Sequence, residues 1–289
     1  VLGFELEAPG DEIIVREGKQ TGLMISEIQG VGGKLPYDIM KNTAGYAAHR
    51  LLQFVGETDR PLEMEIHKKM PFGSGLGSSA ASAAAGVFAV NEFLKTGLTK
   101  YEILRFAVEG EQIADGAFHA DNVAPALLGG MIMIRDNETL DIKKLHIPSG
   151  LFVSVIYPHI EILTKESRGI LKQEVSFKDV IRQQGNLGAF VAAMYTSDFG
   201  MIGRSLQDLL VEPQRAHLIP HFYAMKEQAM NAGALGFSIS GAGPSMFALS
   251  DNSGIAEKIN EQASLLYQKN KVPVTTYLSK INHEGAIRF

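Results

Sequence analysis

The sequence predicts a mixed α+β protein of two domains, and three observations carry that expectation. The chain has 289 residues, which falls between one and two domains at the usual size. Strand-like alternation and helix-spaced apolar residues interleave along its whole length. A polar stretch over residues 137–150, ending in Pro148-Ser149-Gly150, parts two such interleaved regions, so the domains are expected at 1–147 and 148–289. Hydrophobic residues at 45% and charged residues at 20% describe an ordinary globular chain. A net charge of −5, from 27 basic and 32 acidic residues, gives no footprint for nucleic acid or an anionic membrane. The chain has no cysteine, which excludes disulfides, thiolate metal sites and cysteine nucleophiles and fits a reducing, cytoplasmic compartment. Its most apolar window, residues 80–94, is short and interrupted by Ser82, Asn91 and Glu92, so no membrane span is expected, and no signal peptide is visible.

Residues 1–35 read as strands and turns, with short alternations at 4–8 and 12–16 around the turn Pro9-Gly10. Gly30-Val31-Gly32-Gly33-Lys34 holds a lysine, but Leu35 follows where a P-loop needs Ser or Thr, so it reads as a surface hairpin. Residues 42–54 place Ala44, Ala47, Ala48, Leu51 and Leu52 at helical spacing. Leu62–His67 alternates like a half-buried strand, and an alanine-rich helix follows over 81–94. Its small residues let neighbouring backbones pack tightly, so the alanines are explained by architecture alone. Residues 101–112 form another amphipathic helix and 131–135 a strand. Residues 151–158 are a buried-strand run ended by Pro158. Thr164 reads as the cap of a helix start; helices are expected at 177–196, 198–210 and 218–232. Residues 237–249 read as a hairpin, though its turn is longer and richer in hydroxyls than a two-residue hairpin needs. A helix at 255–269 and a strand at 272–277 close the chain.

Between the strand and the alanine-rich helix lies Pro71-Phe72-Gly73-Ser74-Gly75-Leu76-Gly77-Ser78-Ser79-Ala80. Its glycines free the backbone to take positive φ and to approach a ligand closely. Ser78 and Ser79 sit where an N-cap is expected. Strand, glycine loop and helix start together suit an anion, since backbone N–H dipoles converge there. Magnesium takes hard oxygen ligands and keeps waters, so Ser79 with Glu111 is a candidate pair. His119, Asp121 and Asn122 form a polar cluster that needs several hydrogen-bond partners if buried; it reads as functional, or as an N-cap with a solvated histidine. Arg168 and Arg215 suit an anionic substrate through bidentate pairing, or are surface residues.

Two of these motifs carry a resemblance. Pro71-x-x-x-Gly75-Leu76-Gly77-Ser78-Ser79-Ala80 resembles the second motif of the GHMP kinases (galactokinase, homoserine kinase, mevalonate kinase, phosphomevalonate kinase). Gly236-x-x-x-Ser240-Gly241-Ala242-Gly243-Pro244-Ser245 resembles their third, about 165 residues further on. His119-Ala120-Asp121-Asn122-Val123-Ala124-Pro125, Arg215-x-x-Leu218-Ile219-Pro220 and the opening Val1-Leu2-Gly3-Phe4 are similar to the homoserine kinase branch. The resemblance covers the chain and implies an N-terminal domain like ribosomal protein S5 domain 2, followed by a ferredoxin-like domain. It implies a left-handed βαβ crossover in the first, against the general right-handed preference.

It also implies ATP-dependent phosphorylation of the homoserine hydroxyl, in threonine biosynthesis. Pro71, Gly73, Ser74, Gly75, Leu76, Gly77, Ser78 and Ser79 would bind ATP, supported by Ser240, Gly241, Ala242 and Gly243. Ser79 and Glu111 would hold Mg2+, and His119, Asp121, Arg168 and Arg215 would line the homoserine site. Thr164 would sit near the reacting groups, together with Arg168, Asp121 and Asn122. Asn122 stands where several relatives carry a catalytic aspartate, so a carboxylate base is absent there and Asp121 is the nearby candidate if a base exists. A homodimer is loosely suggested. The family's first motif runs upstream of Val1-Leu2-Gly3-Phe4 and is absent, so either a native first strand precedes this sequence or the copy is truncated and inactive. Competing expectations are another small-molecule GHMP kinase and a non-catalytic ligand-binding homologue. A dinucleotide oxidoreductase is weaker, since Gly73-x-Gly75-x-x-Ser78 lacks the third glycine.

Overall fold

The structure, a computed structural model, describes every residue except Leu163; the side chains of Asp115, Thr164, Lys165 and Glu166 also lie outside the described set. The chain forms two compact units. The first comprises Val1–Phe72, Gly77–Lys144 and Asn282–Phe289, and the second Gly73–Leu76 and Leu145–Ile281.

In the first unit the order is β1 (Leu2–Phe4), β2 (Glu12–Glu17), β3 (Leu23–Gln29), α1 (Thr43–Val55) and β4 (Leu62–His67). Then come α2 (Ser78–Leu94), α3 (Lys100–Asp115), α4 (Val123–Leu128), β5 (Met131–Asp136) and β6 (Asp141–Leu145). They make two three-stranded sheets, ordered β1-β5-β6 and β2-β4-β3. β4 is the centre of the second sheet, antiparallel to β2 and parallel to β3. Its alternation works as expected: Leu62, Met64 and Ile66 are fully buried. Glu65, on the other face, takes a two-pronged hydrogen bond from Arg16.

Asn42 caps α1, its side chain accepting from Ala44 N at 3.1 Å and Gly45 N at 3.2 Å. Gly56, in the left-handed region, ends it. α1, α2 and α3 pack with their backbones in close approach. A Cβ at Gly86 of α2 would fall 2.6 Å from the Ala44 carbonyl oxygen of α1, so only glycine fits there. The alanine content of α2 is therefore explained by helix packing, with Ala80, Ala83, Ala84, Val87 and Val90 buried. The last residues return to this unit: Gly130 N donates to Asn282 O at 2.6 Å and Ala286 N to Leu127 O at 3.2 Å.

The second unit holds β7 (Phe152–Pro158), α5 (Thr164–Gly169), α6 (Phe177–Thr196), α7 (Phe199–Ser205) and α8 (Glu212–Arg215). A 3-10 turn (Ala216–Leu218), α9 (Phe222–Ala232), β8 (Gly236–Ile239), β9 (Met246–Ser250), α10 (Ser253–Lys269) and β10 (Val274–Ser279) follow. Its sheet is ordered β10-β7-β9-β8 with every neighbouring pair antiparallel. Helices connect β7 to β8 and β9 to β10, while β8 and β9 form a hairpin, which is the ferredoxin-like arrangement. Phe222, Met225, Phe237, Ile259 and Tyr267 fill the core. Tyr267 spends its hydroxyl on the Pro220 carbonyl at 2.8 Å, and burial pushes that phenol up. No helix among the described residues is long and apolar enough to cross a membrane.

Several local expectations need correction. Residues 30–34 are not a hairpin: β3 ends at Gln29 and pairs with β4, and the turn that follows, with Lys34 N donating to the Val31 carbonyl at 3.2 Å, leads toward α1. β6 lies inside the stretch expected to be a linker, and α4 begins directly after Asn122 of the polar cluster. The helix expected at 198–210 stops at Ser205. Asp208 then gathers the backbone N–H groups of Leu210, Val211 and Glu212 at 2.9, 2.8 and 3.0 Å and turns the chain into α8.

Candidate functional site

The glycine loop connects β4 to α2, and its residues are shared between the two units. At its far end the expectation for Ser78 and Ser79 fails. Neither caps α2; Gly77 does, in the left-handed region at φ 77, and no side chain caps the turn. The serines are the first helical residues instead. Gly77 has no side chain to cap it, so the first turn of this 17-residue helix keeps the anion-binding character of a helix start.

Ser79 Oγ donates to Glu111 Oε1 at 2.7 Å, joining α2 to α3, and Glu111 is only 8% exposed. Among the described residues no three His, Asp or Glu side chains converge as a metal cage. A hydroxyl and a buried carboxylate at a helix start are the donor set of a cation that completes its shell with phosphate oxygens and water, so the residues fit Mg2+.

The His119–Asn122 turn lies before α4. His119 and Asp121 are half-buried and Asn122 is exposed. Asn137 Oδ1 fixes this turn by accepting from Ala120 N at 2.9 Å. β1 also presses on it: a Cβ at Gly3 would fall 2.0 Å from the Asp121 carbonyl oxygen. Asn122 stands at the N-cap position of α4 but makes no side-chain cap bond there. It lies instead against the start of α2, where a Cβ at Gly77 would meet Asn122 Oδ1 at 3.3 Å. The first unit thus brings together Ser79, Glu111, Gly77 and Asn122.

In the second unit, Gly73–Leu76 packs on the β8–β9 turn. Ser240 Oγ donates to the Gly75 carbonyl at 3.0 Å, and Ser245 N to the Ser74 carbonyl at 3.0 Å. A Cβ at Gly75, whose φ is 79, would fall 2.5 Å from the Gly243 carbonyl oxygen. The hairpin reading of 237–249 is therefore right, and the long hydroxyl-rich turn is explained by the loop it holds. Ser167 Oγ donates to the Ala242 carbonyl at 2.9 Å. Arg215 donates from Nε to the Ser167 carbonyl and from Nη1 to the Gly241 carbonyl, both at 3.1 Å. Burial, then the neighbouring Arg168, pulls the Arg215 guanidinium below its ordinary value. Two like charges held near each other suit an anion that offsets their repulsion. The Thr164 side chain lies outside the described residues.

Sequence reasoning missed Ser167 and Asn137. Neither carries a local signal, because their partners lie 75 and 17 residues away.

The GHMP kinases N terminal domain model matches residues 41–130 and the GHMP kinases C terminal model residues 190–268. A homoserine kinase of Chlorobium phaeovibrioides is 44% identical over 297 residues, covering 99% of this chain and 93% of its own length. The crystal structure of a homoserine kinase from Cytophaga hutchinsonii superposes with a TM-score of 0.95 at 44% identity, covering 98% of this chain and 90% of that one. A mevalonate kinase from L. major, at 20% identity, shares the fold with a TM-score of 0.69, covering 94% of this chain and 86% of its own.

Proposed function

The chain belongs to the homoserine kinase family of the GHMP kinases, and from that premise we propose how its residues divide the work. It transfers the γ-phosphoryl group of ATP to the side-chain hydroxyl of L-homoserine, giving O-phospho-L-homoserine and ADP, a step of threonine biosynthesis. The observation that carries the chemistry is the Ser79–Glu111 pair at the start of a helix that no side chain caps.

The loop from Pro71 to Ser79, with Gly73, Ser74, Gly75, Leu76, Gly77 and Ser78, takes the ATP phosphates on backbone N–H groups. Ser240, Gly241, Ala242 and Gly243 hold the middle of that loop in shape. Ser79 and Glu111 hold Mg2+, which when bound neutralises phosphate charge. His119, Asp121, Arg168 and Arg215 take homoserine, the arginines toward its carboxylate. Because Arg215 is anchored through Nε and one Nη1 proton, its terminal edge is oriented for that carboxylate.

The homoserine oxygen bonds to the γ-phosphorus as the bond to the β–γ bridging oxygen breaks. Asn122 is an amide and takes no proton at neutral pH, so it orients rather than deprotonates. Phosphoryl transfer through a loose transition state depends chiefly on positioning and charge neutralisation. The hydroxyl proton therefore leaves to phosphate or solvent, without a dedicated carboxylate base. Thr164 and Arg168 are the residues this reading assigns to the reacting groups. The setting is cytoplasmic and the assembly a homodimer, which sedimentation would check.

The Asp121→Asn variant tests the mechanism. Turnover within about tenfold of the parent agrees with a reaction that needs no base, whereas a loss of about a thousandfold or more would make Asp121 that base. Phosphorus NMR of the product should show a phosphomonoester; inorganic phosphate alone would count against transfer to the alcohol.

A further inference from the structure

Beneath the phosphate loop, in the first unit, lies an ion pair that this division of work does not use. The side chains of Lys68, just after β4, and Asp11, just before β2, are 1% and 0% exposed. Lys68 Nζ donates to Asp11 Oδ2, to the Ser78 carbonyl at 2.7 Å and to Ser82 Oγ at 2.7 Å, three acceptors for its three protons. Ser82 Oγ in turn donates to Asp11 Oδ2 at 3.0 Å. The other oxygen, Asp11 Oδ1, accepts from Lys69 N at 2.9 Å and Met70 N at 3.0 Å.

These bonds have a direction. Lys69 and Met70 are the last residues before Pro71, where the loop begins. Ser78 and Ser82 lie in the first two turns of α2, where it has ended. One buried ion pair therefore fastens both ends of a segment whose Gly73, Gly75 and Gly77 all take positive φ and give it little stiffness of its own. A buried ion pair adds little net stability compared with a well-packed apolar pair, so its contribution is sought in geometry.

We propose that Asp11, Lys68 and Ser82 are positioning residues that clamp the two ends of the phosphate loop and hold it in its nucleotide-binding form; this rests on the reading of the loop given above. Electrostatics agree. Burial pulls the Lys68 ammonium below its ordinary value, while the charge and hydrogen bond of Asp11 oppose that shift. A loop that is competent for only part of the time binds more weakly in proportion to that fraction.

The double variant Asp11→Asn/Lys68→Met tests this. It removes both charges together, keeps an acceptor for Lys69 and Met70, and cuts the link to Ser78 and Ser82. Two readouts are needed on the full chain: amide hydrogen exchange over residues 70–80 without nucleotide, and the calorimetric Kd for MgADP. Exchange faster by about tenfold together with a Kd weaker by about tenfold is the expected result. A change of less than about twofold in either readout would overturn the proposal. If the parent itself fails to bind MgADP, the nucleotide reading of the loop fails, whereas a parent that binds and a variant that binds equally well sinks the clamp alone. Should the double variant not fold, Ser82→Ala decides by the same two readouts, with faster exchange and weaker MgADP binding expected and no change overturning the clamp.

Discussion

Burial, with Asp11 beside it, pushes the Glu5 carboxyl from 4.5 to about 8, so it is protonated at neutral pH in the folded chain and ionised when unfolded. Between those values the folded state holds the extra proton, and stability falls as pH rises through the window. Glu5→Gln removes that dependence. Chemical denaturation should find the variant and the parent close near pH 4.5 and the variant more stable above pH 8, by on the order of a few kcal/mol. A difference that stays constant with pH would show that Glu5 does not titrate this way. Glu111→Gln probes the cation pair. It keeps an acceptor for Ser79 but loses the charge, so kcat/KM should fall by about a hundredfold and the Mg2+ concentration for half-maximal rate should rise. At this scale the sequence exposed residues inside motifs and little else. Ser79 and Glu111 were legible through the chemistry of their types, yet the capping role read into the serines was wrong, because Gly77 takes the left-handed turn one residue earlier. Asp11 and Lys68 are 57 residues apart and have no pattern around them; only the fold pairs them.

Gly86 sets two element-scale forces against each other. Helix propensity favours alanine over glycine by about 1 kcal/mol. The Ala44 carbonyl oxygen, 2.6 Å from where the new Cβ would stand, opposes it, and backbone on backbone has no flexible end to yield. Gly86→Ala should therefore destabilise the chain by about 1–3 kcal/mol in a denaturant titration, and a gain in stability would show that α1 and α2 shift apart freely. Periodicity made legible the long helices and the strands with strict alternation. Leu62–His67 and Phe177–Thr196 begin and end where the sequence places them. Short elements were not: β6, α4 and α8 have too few residues to show a period. The glycines at 30–34 signalled a turn correctly, but not that a helix rather than a strand follows it.

For the whole molecule, a sequence read in one direction suggests one boundary, whereas the contacts divide the chain into interleaved pieces. Gly73–Leu76 packs with the second unit and Asn282–Phe289 with the first. The tail shows no helix or strand pattern; backbone hydrogen bonds such as Ala286 N to the Leu127 carbonyl hold it, and they are permitted by the close approach of Gly129 and Gly285, at φ 70 and 69, where backbone meets backbone. The fold family was legible because two glycine motifs occur in order. The alcohol that the chain phosphorylates was legible from the residues around His119 and Arg215 and from the opening Val1-Leu2-Gly3-Phe4. That assignment is checked most directly by ADP release from MgATP with L-homoserine, mevalonate or galactose supplied in parallel to the same preparation. Homoserine alone should raise the rate, by about a hundredfold over the other two alcohols. No stimulation by homoserine, or equal stimulation by mevalonate or galactose, would show that the substrate has been misassigned.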